Sequence, residues 1–377
     1  MTRIAGTCPA TGAGMSITLD GARIDAVGQG GAEGWLAPGL IDLQINGFGG
    51  FDLNDGRLSP ETVIRLCARL LAEGVTRFLP TIITAAPDTM CDAMSAIARA
   101  CNHDAIARAM VAGIHVEGPA IAPEDGPRGA HPAAHVRAPD LAEVARWQGA
   151  SGNRVRMVTL SPHWPDSAAF ITALVAQGIH VALGHSAASP EKISAAVDAG
   201  ARLSTHLGNG AAAMLPRHPN LIWAQLADDR LTATLIADGH HLPADTLQVF
   251  LRAKGLDRAV LVSDAAAPAG CAAGIYHSAI GAETELSADG RLSMRGTPYL
   301  AGAARSLSEN LALAMRMAGL TLAEALTLAT RNPARFAGGG GVLEPGARAD
   351  VIRFDHAPGD ARLALREVWL AGERVIG

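Results

Sequence analysis

The sequence predicts an α/β fold: a (β/α)8 (TIM-type) barrel with a small β-sandwich domain. Apolar runs of strand length alternate with helical segments over about 300 residues, as eight strand–helix units require. These runs are continuously apolar, which is typical of parallel strands covered on both faces. Both ends of the chain instead carry short strands of alternating polarity. We therefore predict a barrel over residues 39–340 and a sandwich formed jointly by residues 1–38 and 341–377.

The barrel elements can be assigned in order along the chain. The Ser-Pro pairs at 59–60 and 189–190 each combine an N-cap residue with proline at the first helical position. Thr321 and Glu324 have the spacing of a capping box, and we expect Pro333 to end the helix that follows. The predicted barrel strands are 39–45, 76–81, 111–117, 156–160, 179–185, 201–206, 232–237 and 259–264.

Composition limits the classes of function. Of the 377 residues 49% are hydrophobic, which supports a large core, and the net charge of -5 is mild. There is no basic run for nucleic acid or a membrane surface and no apolar stretch of the roughly 20 residues that span a bilayer. The first residues contain no apolar run, so we expect no signal peptide. The five cysteines are odd in number and contain no Cys-x-x-Cys pair, which favours reduced thiols in a cytoplasmic protein.

Several predicted barrel strands end in a residue that can bind a metal or transfer a proton. Glu117, His185 and His206 end the third, fifth and sixth strands, and Asp264 ends the eighth. The C-terminal ends of barrel strands share one face, so we expect these side chains to converge. Two histidines and a carboxylate leave a position open for water in catalytic zinc sites. Asp264 lies where a proton acceptor is needed, and the pattern indicates a metal-dependent hydrolase.

Each of these residues also has a structural interpretation. A single histidine after a strand is usually a loop or core residue, but a buried Glu117 needs a compensating charge, and a metal would provide it. Asp264 could equally cap the turn that follows it. His115 faces the same side of its strand as Glu117, and we interpret it as packed beside the metal site rather than as a ligand. The segment 208–210 could be an anion-binding nest or a plain turn.

From about residue 37 to its end, the chain resembles the N-acetylglucosamine-6-phosphate deacetylases of the amidohydrolase superfamily. Several short segments carry the resemblance, and their number and order make it specific. They are Pro-Gly-Leu-Ile-Asp-Leu-Gln-Ile-Asn-Gly (38–47), His-Val-Glu-Gly-Pro (115–119), Gly-His-Ser (184–186), Thr-His-Leu-Gly-Asn (205–209), Ile-Ala-Asp-Gly-His-His (236–241) and Ser-Asp-Ala-Ala-Ala-Pro-Ala-Gly (263–270).

The resemblance implies a barrel with a small β-sandwich, a homodimer, and a role for each matching residue. The metal would be bound by Glu117, His185 and His206. The catalytic acid and base would be Asp264, and His131 would polarise the acetyl carbonyl. The sugar phosphate would be contacted by Asn209, Gly210 and His241, while Arg217 would reach the substrate of the neighbouring subunit.

Many amidohydrolases bind a second metal through His-x-His at the end of the first strand, where this chain has Gln44 and Asn46. Neutral amides bind zinc poorly, so we expect one divalent metal. We place Gln44 and Asn46 among the substrate contacts instead.

The implied reaction is the removal of the acetyl group from N-acetylglucosamine 6-phosphate. Alternatives are N-acetylgalactosamine 6-phosphate and an unphosphorylated N-acetyl sugar. The loop from Thr297 to Ala303 departs from the family pattern by an inserted Pro-Tyr and by alanine at 303 in place of serine, so its role stays open. Zinc is the first expectation for the metal, and iron(II), manganese and cobalt also suit such a site.

Overall fold

The computed structural model describes residues 2–277 and 283–377. Met1, within the predicted sandwich, and residues 278–282, within the predicted barrel range, lie outside the described residues. The strands are β1 (Thr2–Thr7), β2 (Gly14–Asp20), β3 (Arg23–Gln29), β4 (Trp35–Pro38), β5 (Leu40–Ile45), β6 (Gly47–Phe48), β7 (Phe51–Asp52), β8 (Val75–Ile83), β9 (Ile114–Glu117), β10 (Val155–Leu160), β11 (His180–Leu183), β12 (Leu203–Ser204), β13 (Thr232–Leu235), β14 (Ala259–Leu261), β15 (Gly274–His277), β16 (Glu283–Leu286), β17 (Leu292–Met294), β18 (Val351–Asp355), β19 (Ala364–Leu370) and β20 (Glu373–Ile376).

The helices lie mainly between the barrel strands. They are α1 (Pro60–Leu71), α2 (Pro87–His103), α3 (Ala105–Met110), α4 (Leu141–Ser151), α5 (Ser167–Ala176), α6 (Pro190–Asp198), α7 (Leu221–Ala227), α8 (Ala244–Lys254), α9 (Leu307–Ala318), α10 (Leu322–Ala329) and α11 (Arg331–Ala334). Among the residues described, the helices are all too short or too polar to cross a membrane.

The predicted barrel is confirmed. Within the described residues, its parallel sheet has the order β5-β8-β9-β10-β11-β12-β13-β14, which is also the order along the chain. The first and last strands meet where the N–H of Asp264 donates to the carbonyl of Gln44 at 2.9 Å and the N–H of Asn46 donates to the carbonyl of Ala265 at 2.8 Å. This contact brings the ends of the first and last strands side by side.

Side chains fill the interior of the barrel. A buried apolar cluster joins residues from β5, β8, β10, β11, β12 and β14, including Ile41, Leu79, Met157 and Val260. Side chains from strands on opposite sides of a closed sheet can pack together only inside the barrel. The interior is therefore a packed core, and open space is left at the C-terminal strand ends.

The helix-start signals hold, but one predicted helix end is wrong. The Ser59 side chain caps α1 by accepting a backbone N–H, and Thr321 and Glu324 form both halves of a capping box at α10. Pro333 does not end α10, because the backbone at Thr330 has already left the helical conformation (φ -133°, ψ -80°). Pro333 instead lies within the short α11.

Both ends of the chain build a second sheet, as predicted. Its strand order is β20-β19-β18-β4-β1-β2-β3, and the pairing is antiparallel except between β1 and β4. A small apolar core, with Ile17, Leu36 and Val351 fully buried, holds the two chain ends together. The chain passes from this sheet into the barrel between Pro38 and Leu40.

A small sheet inserted after β14 was not expected from the sequence. Strands β15, β16 and β17 form an antiparallel sheet whose last strand leads into the loop 295–303. The backbone of Ala303 then pairs with the ends of the barrel, because its N–H donates to the carbonyl of Asp264 at 2.9 Å and its carbonyl accepts from Ala266 at 2.9 Å. The insertion is thus anchored beside the predicted catalytic aspartate.

Candidate active site

Glu117, His185 and His206 meet at the C-terminal end of the barrel. Glu117 is the last residue of β9, and the histidines follow β11 and β12. Oε1 of Glu117 lies 3.0 Å from Nε2 of His206 and 3.3 Å from Nε2 of His185, and the two Nε2 atoms are 3.1 Å apart. All three residues are buried, with exposures of 3 to 8%. We call them the metal-site group.

The donor atoms of the metal-site group suit a divalent cation. At bond lengths of about 2.0–2.1 Å, neighbouring ligands of a tetrahedral zinc ion lie about 3.4 Å apart, close to the distances found here. Nδ1 of His185 lies 2.9 Å from the carbonyl of Pro127, which can only accept, so the lone pair of this ring is on Nε2. Among the described residues, the buried Nδ1 of His206 has no hydrogen-bond partner.

Glu117 is held as a carboxylate. Burial alone would raise the pKa of Glu117, but its close contacts with the rings of His185 and His206 outweigh burial and hold this pKa well below its usual value. The side-chain amide of Gln44 also donates to Oε1 of Glu117 at 2.9 Å. Gln44 lies beside the carboxylate and does not line the cavity, so the structure shows an orienting contact for it, and its contact with substrate stays a prediction.

Asp264 lies three residues after the end of β14 and faces the same cavity. Its Oδ1 accepts a hydrogen bond from the amide of Asn46 at 2.8 Å, across the contact that closes the barrel. Burial raises the pKa of Asp264 to about 6, and the negative charge of Glu117 adds to this shift. The carboxylate faces the cavity, so Asp264 is not merely a cap of the turn that follows it.

Backbone strain accompanies three of these residues. His185, His206 and Asp264 have φ angles of +46°, +30° and +48°, a region that residues other than glycine rarely adopt. Such strain costs of order 1–3 kcal/mol per residue and clusters at functional sites, where the surrounding structure maintains it. Each strained residue comes just after a barrel strand, where the chain must turn while presenting its side chain to the cavity.

His131 reaches the site from the long loop after β9. Its Nε2 lies 3.8 Å from Oε2 of Glu117, and its Nδ1 lies 2.9 Å from the hydroxyl of Thr84. Burial lowers the pKa of His131 to about 3, so the ring is neutral. A neutral ring beside the metal-site group has the position required of a hydrogen-bond donor to a substrate carbonyl.

These residues surround a cavity of about 280 Å³. Of the predicted site residues, it brings together Asn46, Glu117, His131, His185, His206, Asn209, Gly210, His241 and Asp264. Arg217 is not among them; it is exposed on the loop 211–219, outside the cavity of its own chain. The outer wall includes Pro298, Tyr299 and Leu300 from the loop 295–303.

Three neighbours complete the site. His115 is buried, with ring nitrogens 3.2 Å from the carbonyl of Leu43 and 2.7 Å from the hydroxyl of Thr159, so it packs below the site as we interpreted it. The sequence pattern did not single out Thr84, which contacts His131, or Asp238, which contacts His241. Asp238 comes shortly after β13, so the strand-end signal used for the other residues could have found it.

Comparison with known proteins identifies the family. The chain matches the Amidohydrolase family over residues 35–374. The chain belongs to the amidohydrolase family. It is 36% identical to the N-acetylglucosamine-6-phosphate deacetylase of Bos taurus, over 90% of this chain and 83% of that protein. It is 34% identical to the N-acetylgalactosamine-6-phosphate deacetylase of Escherichia coli O157:H7, over 90% of this chain and 87% of that protein.

A solved structure agrees over the whole chain. The N-acetyl-D-glucosamine-6-phosphate deacetylase of Mycobacterium smegmatis has a TM-score of 0.90 at 30% identity, and 100% of both chains is covered. An aspartate-to-alanine variant of that enzyme, in complex with N-acetyl-D-glucosamine-6-phosphate, has a TM-score of 0.88 at 29% identity, with the same coverage. The predicted resemblance is confirmed. Amidohydrolases are metal-dependent, and the metal-site group of this chain is a buried cluster able to hold a metal.

Proposed function

We propose that this amidohydrolase removes the acetyl group from N-acetylglucosamine 6-phosphate and releases glucosamine 6-phosphate and acetate. The observation that carries the proposal is that Asp264 and the metal-site group line one cavity at the C-terminal face of the barrel. That arrangement combines a proton acceptor with a place for a metal. The curated relatives that cover most of the chain act on N-acetyl amino-sugar phosphates.

Glu117, His185 and His206 would hold one divalent metal, with zinc as the first candidate. Two imidazole nitrogens and one carboxylate oxygen form a ligand set of catalytic zinc, and iron(II), manganese and cobalt tolerate the same set. Gln44 and Asn46 offer only neutral amides for a second ion, which supports a single metal. When bound, the metal would activate a water molecule and polarise the acetyl carbonyl.

The side chains of the chain would supply the proton transfers. Asp264, fixed by the amide of Asn46, would take a proton from the attacking water and return it to the departing nitrogen. The return step matters because an amine leaves poorly unless its nitrogen is protonated. His131, oriented by Thr84, would donate to the acetyl oxygen as negative charge develops there.

The outer part of the cavity would hold the sugar phosphate. Asn209, the backbone at Gly210, and His241 lie in the cavity wall and would contact it. Arg217 would contribute from a second subunit, since it is exposed and lies outside the cavity of its own chain. This contribution requires a homodimer in which the loop 211–219 of one subunit reaches the cavity of the other. All five cysteines are free, which supports a cytoplasmic location.

N-acetylgalactosamine 6-phosphate is the second candidate substrate. The chain is 34% identical to a deacetylase of that sugar and 36% identical to one of the glucosamine isomer, over the same share of its length. The two sugars differ in the orientation of one hydroxyl, far from the acetyl group. The chemistry proposed for Asp264 would serve both.

The test is acetate release by enzyme of known metal content. The substrates are N-acetylglucosamine 6-phosphate, its galactosamine isomer and free N-acetylglucosamine, compared side by side. We expect the fastest turnover with the first, loss of turnover on chelation, and recovery with zinc or another divalent ion. Bound metal without turnover of any of the three would refute the proposed substrate class.

A further inference from the structure

We propose that Asp238 is a positioning residue that orients His241 toward the anionic group of the substrate. The inference rests on the proposed function, because it requires a phosphorylated sugar in the cavity. Asp238 itself does not line the cavity. It would act only through the ring of His241.

The cavity presents few positive charges to an anionic substrate. Within the part of the chain that the structure describes, its lining contains the carboxylates of Asp52, Glu117 and Asp264 but no lysine or arginine. A phosphate entering this space needs a positive partner that is already in place. Apart from His131, His185 and His206 at the metal-site group, the histidines of the lining are His241 and the exposed His277.

The contact between Asp238 and His241 is short and buried. Oδ2 of Asp238 lies 2.7 Å from Nδ1 of His241, and the two side chains are only 2% and 7% exposed. Oδ1 of Asp238 accepts the backbone N–H groups of His240 at 2.9 Å and of His241 at 2.8 Å. One carboxylate therefore fixes both the local backbone and the ring.

Asp238 remains ionised in this position. Burial alone would raise the pKa of Asp238, but the hydrogen bond and charge of His241 hold this pKa below its usual value. Arg305 also donates from Nε to the Asp238 carbonyl at 3.2 Å, and its terminal nitrogen donates to the carbonyl of Asp289 at 2.6 Å. Arg305 thus anchors the backbone at Asp238 independently of the His241 ring.

The ionised carboxylate determines which atom of His241 is free for the substrate. A carboxylate can only accept, so Nδ1 of His241 carries the proton and Nε2 is the remaining polar atom of the ring. If Nε2 is also protonated, the ring is a cation whose counter-ion already touches it. Such a ring can donate a charge-assisted hydrogen bond to a phosphate oxygen.

Asp238→Asn tests the inference with little change in shape. The amide oxygen can still accept the two backbone N–H groups, but the amide nitrogen would donate toward Nδ1 of His241. The ring would then need a lone pair on Nδ1 and could not be a cation. Its Nε2 would still donate to the phosphate, but as a neutral group and without charge assistance, so we expect KM for N-acetylglucosamine 6-phosphate to rise about tenfold, with kcat changed less than about threefold.

The controls separate positioning from general damage. Asp140→Asn changes another capping aspartate, at the start of α4 and outside the cavity, and should leave both constants unchanged. In a His241→Ala background, Asp238→Asn should add no further rise in KM, because Asp238 acts only through the ring. The affinity of the metal-loaded protein for inorganic phosphate, measured by calorimetry, should fall in Asp238→Asn and in His241→Ala but not in Asp140→Asn. This measurement does not depend on turnover.

The outcomes distinguish this inference from the proposed function. Unchanged KM and phosphate affinity in Asp238→Asn, with an active wild type, would overturn the inference alone. An additional effect of Asp238→Asn in the His241→Ala background would do the same, because Asp238 would then act by another route. If the wild type deacetylates no amino-sugar phosphate, the proposed function is refuted. If, in addition, wild type and Asp238→Asn bind phosphate equally well, the role of Asp238 is refuted too.

Discussion

The floor and the rim of the cavity are built differently. The floor consists of Glu117, His185, His206 and Asp264, all at most 8% exposed and all placed by barrel strands. The rim includes the loop 295–303, where Tyr299 is 55% exposed. The loop 211–219, where Met214 is 88% exposed, follows the cavity residue Gly210, and we group it with the rim. Floor side chains contact one another or the side-chain amides of Gln44 and Asn46, while much of the rim faces solvent.

This difference separates chemistry from recognition. The floor atoms are held by short contacts and by strained backbone, so their geometry does not depend on the substrate. The rim loops can vary in sequence without disturbing the barrel, as is usual for loops carried on a rigid scaffold. We therefore expect floor variants to abolish turnover or metal binding and rim variants to change substrate preference.

Asp264→Asn should give the largest effect. Loss of the acid–base group should lower kcat by about 10²–10⁴-fold, while bound metal and thermal stability stay close to wild type. Asp52→Asn is a suitable control, since it also removes a carboxylate from the cavity wall but Asp52 is not one of the floor residues, and it should cost far less. Activity near the wild-type level in Asp264→Asn would remove Asp264 from this role and weaken the separation of floor from rim.

His185→Ala and His206→Ala should each release the metal on dialysis, since two protein ligands remain. His180→Ala is the matched control because His180 lies at the opposite end of β11, where it packs edge-on against Phe336. Metal analysis of the dialysed proteins should show loss in the first two variants and full occupancy in the control. Full occupancy in all three would contradict the assignment of the metal-site group.

Arg217→Ala should act on substrate binding alone. If Arg217 reaches the phosphate bound by the neighbouring subunit, KM for the phosphorylated sugar should rise about tenfold, with little change for the unphosphorylated one. Arg252→Ala, an exposed arginine in the last turn of α8, serves as control. An equal effect on both substrates, or a monomer in solution, would show that Arg217 does not read a phosphate across an interface.

Tyr299→Ala should give the smallest effect. The ring lies at the cavity mouth and can stack on the sugar, a contact worth about 0.5–1.5 kcal/mol for aromatic groups, or about 2- to 12-fold in kcat/KM. We expect the preference between the two sugar-phosphate isomers to shift, with metal content unchanged. An effect as large as that of Asp264→Asn would show that the rim takes part in the chemistry.

The sequence by itself determined the fold and the floor of the cavity. Continuous apolar runs specify parallel strands, and a parallel barrel brings every strand end to one face. Glu117, His185, His206 and Asp264 could therefore be grouped from their positions at strand ends alone. The helix-start signals at Ser59 and Thr321 also held. These features depend on local pattern and on a topology with few alternatives.

The tertiary structure decided which side chains support the floor and what forms the rim. Gln44 contacts Glu117, and Asp238 contacts His241, because neighbouring strands and turns bring them together, and spacing along the chain does not contain that information. The inserted sheet β15–β17 was missed because its strands are short and half exposed, so they carry little hydrophobic pattern. Buried apolar residues produce a clear pattern in the sequence, whereas polar contacts between distant segments form only when the chain is folded.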